Sequence, residues 1–416
     1  LLAGVLTSCK VGKSYVRPDL HLPDSLERAQ DSISFGDQDW RDIYTDATLR
    51  SLIERALDHN KDMLIAAARV KEMAAQKRIS TAALLPDIKG KVTAERELEN
   101  HGGDAFKRSE TFEAQFLVSW ELDLWGNLRW ARSASIAEYL QSIEAQRALR
   151  MTIVAEVAQA YYELVALDTE LDIVKQTLKA REEGVRLARI RFAGGLTSET
   201  SYRQAQVELA RTATLVPDLE RKISLKENDI AYLAGEYPNK IARSRLLQEF
   251  NSPETLPVGL PSTLLERRPD IRQAEQKLIA ANAKVGVAYT NMFPRLALTG
   301  GFGSESTSLS ELLKSPYAVM EGALLTPIFG WGKNRAALKA KKAAYEAEVH
   351  SYEKAVLEAF KETRNAIVNF NKIKEVYELR ANLERSAKSY MDLAQLQYIN
   401  GCLLYTSPSP RDISGS

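Results

Sequence analysis

The sequence predicts a mainly α-helical chain with a transmembrane β part, arranged as an internal two-fold repeat. Three observations support this prediction: long segments without glycine or proline, two stretches in which polar and apolar residues alternate, and turn motifs that recur at a fixed distance. The chain has 416 residues, which is enough for a large core or for more than one domain.

The composition argues against several classes of function. Lys and Arg number 56 and Asp and Glu 55, so the net charge of +1 gives no electrostatic case for binding nucleic acid. The four histidines and two cysteines have no metal-ligand spacing. Residues 12–14 resemble the end of a P-loop, but threonine replaces its first glycine at position 7, and residues 300–303 lack the GxGxxG spacing. We therefore expect no catalysis, no cofactor and no metal.

The N-terminus has the character of a processed, lipidated segment. Residues 1–8 are small and mostly apolar, and Leu6-Thr7-Ser8-Cys9 resembles a bacterial lipobox. We interpret Cys9 as a lipidation site whose acyl chains tether the chain to a membrane. Lys10 resembles the residue that follows the cysteine in lipoproteins sorted to the outer membrane. The alternative is a buried cysteine after a short apolar stretch.

A repeat spans most of the chain. Trp125-Gly126 recurs as Trp331-Gly332 at an offset of 206 residues, whereas Pro86 matches Pro294 at an offset of 208. The offset therefore changes by two residues within the first candidate strand hairpin, where changes of length are tolerated. Each copy is expected to contain a helix, a strand hairpin, a very long helix, a tight turn and a returning helix.

Each copy contains a candidate strand hairpin. The first is predicted as a strand over residues 87–98, a polar loop over 100–109 and a return strand over 112–124. Both strands alternate between apolar and charged residues and are long enough to cross a bilayer when tilted. The second hairpin is predicted at residues 295–303 and about 317–329. No run of about 18 apolar residues occurs, so any membrane crossing is expected to use these strands. A soluble amphipathic sheet packed on helices is the alternative.

The predicted long helices form a coiled-coil hairpin. Only Gly184 interrupts the segment between Gly126 and Ala193, so it predicts a helix of about 65 residues, about 100 Å long. Apolar residues follow a heptad rhythm over residues 157–178 and again over 202–233, where Pro217 should kink the helix. An ordinary helix–helix core is the alternative explanation of the rhythm.

One block of sequence resembles a known family. Residues 259–271 contain Arg267, Arg268, Pro269 and Asp270 and resemble a hallmark of the outer-membrane efflux protein family, in its lipoprotein branch. The resemblance continues through much of residues 274–300. Judged by its residues alone, the block looks like a helix start, because proline suits the first turn and an acidic residue suits the positive helix end. We expect it to be structural.

Other parts of the chain carry the same resemblance. Residues 120–126 and the segment that follows Cys9 are similar to the family, and the likeness extends over roughly residues 9–401.

This resemblance implies a TolC-like homotrimer in the outer membrane. Four strands from each protomer would form a 12-stranded β-barrel, and the helices a long coiled-coil barrel across the periplasm. The implied function is passive export of small toxic compounds, either drugs or metals, in partnership with a periplasmic adaptor and an inner-membrane pump. A type I protein-secretion duct and a non-channel coiled-coil scaffold are the alternatives.

The turn between the two long helices is the candidate docking site for the adaptor. It comprises Gly194, Gly195, Leu196, Thr197 and Ser198. Its two glycines permit a sharp reversal of the chain, and a turn without any contact role remains the alternative.

We divide the sequence into five segments. They are a residual signal peptide (1–8), a lipidated N-terminal segment (9–47), a first repeat (48–240), a truncated second repeat (241–401) and a tail (402–416). The tail resembles a translated sequencing adapter and is expected to be an artefact. The resemblance implies a second turn and a returning helix after Gly401, and we expect the tail to stand in their place.

Overall fold

A computed structural model describes residues 10–20, 38–100, 107–244, 267–326 and 330–399. Cys9, the second predicted turn near residue 401 and the tail 402–416 lie outside these residues. Helix α1 (Trp40–Ile43) belongs to the N-terminal segment. The first copy of the repeat consists of helices α2 (Ala47–His59) and α3 (Lys61–Ala82), strands β1 (Asp87–Glu99) and β2 (Lys107–Leu122), and helices α4 (Asn127–Ala193) and α5 (Glu199–Leu233).

The second copy follows the same order as far as the structure describes it. It contains α6 (Pro269–Thr290), β3 (Arg295–Ser306), a short 3-10 helix (Leu309–Lys314), β4 (Pro316–Leu325) and α7 (Trp331–Ile399). The chain forms two compact units, residues 1–356 and 357–416. In the second unit the structure describes the distal part of α7, which exposes apolar residues such as Ile373 and Tyr377. Among the described residues, no helix is long and apolar enough to cross a membrane.

The four strands form one antiparallel sheet in the order β1-β2-β3-β4. Both predicted hairpins are present, with different limits. The return strand of the first begins at Lys107 and not near residue 112, because the ladder with β1 continues to the pair Glu99 and Lys107. The predicted strand near 317–329 ends at Leu325, two residues before Pro327, which has no N–H for a ladder.

The long helix is confirmed. Helix α4 has 67 residues and begins after Gly126, whose φ of 83° is a left-handed conformation that suits glycine. The heptad residues Val157, Ala160, Leu164 and Leu171 are buried, while those nearer the turn are only partly covered. Helix α5 runs through Pro217 as one helix.

The main core joins the start of the chain to the middle of α4. Leu49, Leu52 and Ile53 of α2 pack with Leu164 of α4 and Ile230 of α5, and all five are almost fully buried. Burial of large aliphatic side chains contributes roughly 1.5–3 kcal/mol each. This core therefore fixes α2, α4 and α5 relative to one another.

A buried carboxylate lies at the edge of this core. Asp46 caps α2 by accepting hydrogen bonds from the backbone N–H groups of Thr48 (2.7 Å) and Leu49 (3.4 Å). It also accepts hydrogen bonds from the hydroxyls of Tyr161 (2.9 Å) and Ser244 (2.5 Å). Burial opposes ionisation of Asp46, but these hydrogen bonds outweigh it and hold its pKa below the ordinary value.

Replacing this carboxylate should destabilise the helical core. We expect Asp46→Ala to lower the free energy of unfolding by about 2–3 kcal/mol at pH 7, because a cap and buried hydrogen bonds are lost. Since the folded-state pKa is depressed, the stabilisation is present above about pH 4 and disappears as the pH falls through the folded value. Thermal unfolding of the solubilised protein between pH 3 and 7 measures this. The exposed Asp58→Ala is the control, and a deficit as large at pH 3 as at pH 7 would contradict the assignment.

Candidate channel wall and docking turn

The register of the sheet assigns each strand residue to one of two faces. Residues paired directly across an antiparallel ladder project to the same side. Gly90, Phe116, Phe302 and Ala318 form one such row across all four strands. The adjacent row projects to the other side and consists of Lys91, Gln115, Gly303 and Tyr317. We call the even-numbered side the apolar face and the odd-numbered side the polar face.

The apolar face is exposed on this chain. Val92 is 81% and Met320 87% exposed, and Phe116 and Phe302 are each 64% exposed. Its charged residues all lie at the end of the first hairpin, where Glu110 pairs with Arg96 (2.8 Å) and Arg108 (2.9 Å). Such a band of exposed apolar side chains with charges only at one end is typical of a lipid-facing surface.

The polar face carries an excess of negative charge. Its four basic residues are Lys89, Lys91, Lys107 and Arg295. Its eight acidic residues are Asp87, Glu95, Glu97, Glu99, Glu113, Glu121, Glu305 and Glu321. The formal charge of the described part of this face is therefore −4, which suits contact with water and attraction of cations.

A hydrogen-bond network crosses the polar face at Glu113. The carboxylate accepts bonds from Thr93 (3.0 Å) and Lys91 (3.2 Å) on β1 and from Gln115 (2.7 Å) beside it. It also accepts a bond of 2.6 Å from the hydroxyl of Tyr317 on β4. The Tyr317 side chain thus reaches from β4 across Gly303 of β3 to β2. A Cβ atom at position 303 would lie 2.4 Å from the backbone oxygen of Ala114. The network links strands that do not pair directly.

The sheet has two open edges. Within the described residues, β1 pairs only with β2, and β4 pairs only with β3. An unpaired strand edge presents free N–H and C=O groups, which are costly in a lipid environment because no water satisfies them. A sheet of this kind requires further strands on both sides if it is to cross a membrane.

The junction between β2 and α4 is held by several polar contacts. Asp123 caps α4 by accepting bonds from the backbone N–H groups of Leu128 and Arg129, both at 3.0 Å, and pairs with the Arg129 side chain. Trp125 donates to the carbonyl of Pro294 at 2.8 Å. The Asn127 amide donates to Thr290, the last residue of α6, and to the C-cap residue Asn291, both at 2.9 Å. These contacts join the two copies of the repeat where the sheet meets the helices.

The N-terminal segment is bound at the same junction. The Lys10 ammonium lies 3.5 Å from the centroid of the Trp130 ring and donates to Ser133 at 2.8 Å. Val11 donates to the Trp125 carbonyl and accepts a bond from the Trp130 ring nitrogen at 2.8 Å. The residue next to Cys9 is therefore fixed beside the start of α4.

Farther along, the segment lies on α6. Arg17 forms a two-point ion pair with Glu275, with distances of 2.7 and 2.8 Å, and Tyr15 donates to the same carboxylate. Burial and the adjacent Glu275 raise the pKa of Tyr15. A planar guanidinium–carboxylate pair has a defined geometry, so it fixes the register of the segment on α6.

Gly286 of α6 makes room for Trp130. A Cβ atom at position 286 would lie 2.3 Å from the Trp130 ring. We expect Gly286→Ala to displace this ring and destabilise the protein by about 2–4 kcal/mol, because overpacking and lost tryptophan contacts act together. Thermal unfolding and proteolytic release of the N-terminal segment measure the effect. Gly332→Ala is the control, since nothing lies within 4 Å of a Cβ there. Equal unfolding temperatures for the two variants would contradict this packing argument.

The family block begins α6, as expected. Arg267 is the first described residue of this segment, Arg268 is the N-cap and Pro269 occupies the first turn. Arg268 forms a two-point contact with Asp270, at 3.0 and 2.6 Å. Burial raises the pKa of Asp270, but the Arg268 guanidinium outweighs this and holds it below its ordinary value. The predicted helix start is confirmed.

The predicted turn at residues 194–198 is also present. Gly194, Gly195 and Leu196 donate backbone hydrogen bonds to the last turn of α4, and Gly195 has a φ of 71°. Ser198 caps α5 through the N–H of Ser201 at 3.4 Å. Leu196 is 70% exposed, whereas Thr197 is partly covered. The turn thus presents an apolar side chain on a rigid support.

Comparison with known proteins identifies the family. The family profile described as "Outer membrane efflux protein" matches residues 52–236 and 260–403. The chain belongs to the outer membrane efflux protein family. Among its relatives, outer membrane protein OprJ of Pseudomonas aeruginosa is 32% identical to this efflux protein, over 96% of the chain and 86% of the relative. The cation efflux system protein CusC of Escherichia coli K12 is 26% identical to this chain, over 97% of the chain and 90% of CusC.

Solved structures agree with this assignment. The open state of the MtrE outer membrane channel of Neisseria gonorrhoeae matches this efflux protein with a TM-score of 0.86 and 27% identity, over 94% of the chain and 89% of the channel. The predicted TolC-like fold is therefore confirmed, as are the outer-membrane location and the role of channel component in an efflux system.

Proposed function

We propose that three copies of this efflux protein close their sheets into one 12-stranded barrel. The observation that carries the proposal is a two-faced sheet with an open edge on each side. Joining β4 of one copy to β1 of the next satisfies both edges. The apolar face then contacts lipid, and the acidic face lines a water-filled lumen.

The barrel serves as a passive exit duct that uses no cofactor and performs no chemistry. A periplasmic adaptor and an inner-membrane pump supply cargo and energy, and the cargo is small toxic compounds such as drugs or metal ions. The relatives support this range, since one is named as a cation efflux protein and another, TtgC of Pseudomonas putida, as a toluene efflux protein. Lipidation of Cys9 would add a membrane tether close to Lys10.

The turn at residues 194–198 contacts the adaptor in this arrangement. We expect Leu196→Glu to weaken binding of the purified cognate adaptor by about tenfold, because the exposed leucine is the apolar anchor of the turn. Surface plasmon resonance with the trimer in detergent measures this. Leu313→Glu is the matched control, since Leu313 is also exposed but lies in the 3-10 helix between β3 and β4. Unchanged adaptor affinity of the Leu196 variant would exclude this contact.

The duct function is tested by conductance in a planar bilayer. Purified full-length protein, with adaptor added to open it, should produce stepwise ion currents. Variants that neutralise the polar face should alter the currents without abolishing them. Stable insertion with no current under any opening condition would refute the duct.

A further inference from the structure

The two copies of the repeat differ in charge where the long helix leaves the sheet. In the first copy, the equivalent residues 125–139 contain two arginines and one glutamate, and Arg129 is bound to Asp123. In the second copy, residues 331–345 contain no acidic residue and five basic ones: Lys333, Arg335, Lys339, Lys341 and Lys342. The second copy therefore has a strongly basic surface that the first copy lacks.

Three of these basic residues lie along one side of α7, together with Trp331. Trp331, Arg335, Lys339 and Lys342 are spaced by four, four and three residues, which places them on one side of a helix. We call this set the basic stripe. Another side of the same turns is engaged by the protein, since Asn334 donates to the Asn291 carbonyl at 3.0 Å.

A cleft shows which side of α7 faces the neighbouring helices. Asn334, Ala337 and Lys341 line a cleft shared with α4 and α6. With 100° of rotation per residue, the basic stripe points away from this cleft.

The basic stripe is exposed to solvent. All four of its side chains are exposed, and Trp331 is 55% exposed. In the part of the chain that the structure describes, none of its three cations forms an ion pair. Glu346, one turn beyond Lys342, is the first acidic residue of α7. Three adjacent cations without a counter-charge repel one another, so an external anion would stabilise them.

The position of the basic stripe suggests what that anion is. Only residues 326–330 separate β4 from Trp331, so the stripe begins where the sheet ends. In the first copy, the residue equivalent to Gly332 is Gly126. Lys10 lies beside Gly126, next to the start of α4. Tryptophan is enriched at the membrane–water interface, and clusters of Lys and Arg bind anionic headgroups.

We propose that the basic stripe binds the phosphate headgroups of anionic phospholipids in the periplasmic leaflet of the outer membrane. Trp331 lies at headgroup level, and Arg335, Lys339 and Lys342 contact the phosphates. This inference rests on the proposed function, because the sheet must cross the membrane for the stripe to reach its surface. It adds a lipid-recognition site to the helical part of the protein.

The test compares binding of soluble dioctanoyl phosphatidylglycerol to the full-length trimer and to the triple variant R335Q/K339Q/K342Q, counted by native mass spectrometry. Each basic residue near an anionic surface is worth roughly a fivefold change in binding, so the triple variant should bind about 100-fold more weakly. The matched control K354Q/R380Q/K388Q removes one Arg and two Lys that are exposed farther along α7. It should bind like the wild type, and dioctanoyl phosphatidylcholine should bind weakly to all three proteins.

Several results would overturn the proposal. Equal phosphatidylglycerol binding by the triple variant and the wild type is one, and displacement of the lipid by equimolar inorganic phosphate is another. If the triple variant instead loses its trimeric state, the stripe contacts a second copy of the chain and the lipid assignment is wrong. Conductance recorded on the same samples separates this outcome from failure of the duct, since the triple variant should conduct like the wild type.

Discussion

Phe116→Lys should prevent stable assembly in the membrane, whereas Gln115→Lys should be tolerated. Phe116 lies on the exposed apolar face in the middle of β2, and its neighbour Gln115 lies on the polar face. A lysine on the lipid side of a barrel costs about 2–4 kcal/mol near the bilayer midplane. Three copies would carry this penalty three times, or roughly 6–12 kcal/mol in one trimer.

The comparison uses the fraction of protein that resists heating in detergent after extraction from outer membranes. Both variants add one positive charge at adjacent positions, so only the side of the sheet differs. We expect a heat-resistant oligomer for Gln115→Lys and little or none for Phe116→Lys. Equal recovery of the two would mean that the even-numbered side does not face lipid.

The second large effect concerns ion selectivity. The described part of the polar face bears a formal charge of −4 per chain, which would sum to about −12 around the lumen of the proposed trimer. The opened channel should therefore pass potassium several-fold more readily than chloride. Neutralising Glu95, Glu97, Glu305 and Glu321 to glutamine should bring the permeability ratio close to one, because the formal charge of the face falls to zero.

Reversal potentials in a KCl gradient measure this ratio. The matched control replaces the same four residues by aspartate, which preserves the charge and should preserve the selectivity. The preference for potassium over chloride should weaken at high salt, because dissolved ions screen the charges of a lumen that is in contact with water. A glutamine variant as cation-selective as the wild type would exclude the polar face as the source of selectivity.

The sequence predicted those elements whose signal is local and repeated. The absence of proline and the scarcity of glycine before Ala193 predicted α4, and alternation predicted which residues of β2 share a face. Pro269 and the paired Gly194 and Gly195 predicted a helix start and a turn because their backbone preferences act within a few residues.

Contacts between distant segments were not predicted. The ion pair between Arg17 and Glu275 and the space that Gly286 leaves for Trp130 join residues more than 150 positions apart. No local pattern marks them, although Glu275 and Gly286 lie in the stretch that resembles the family.

The network around Glu113 was missed for a related reason. Alternation places Glu113 on the polar face, but only the register of the strands brings Tyr317 to it. The start of β2 at Lys107 was missed because cross-strand pairing extends the ladder into a segment that looks like a polar loop.

The number of chains in one particle tests the account most directly. Native mass spectrometry of the full-length protein, released from lipid nanodiscs, counts them without assumptions about shape. If three open-edged sheets close into one barrel, the particle should contain three chains. A stable particle of a single chain, with its four strands still embedded in lipid, would contradict that assembly.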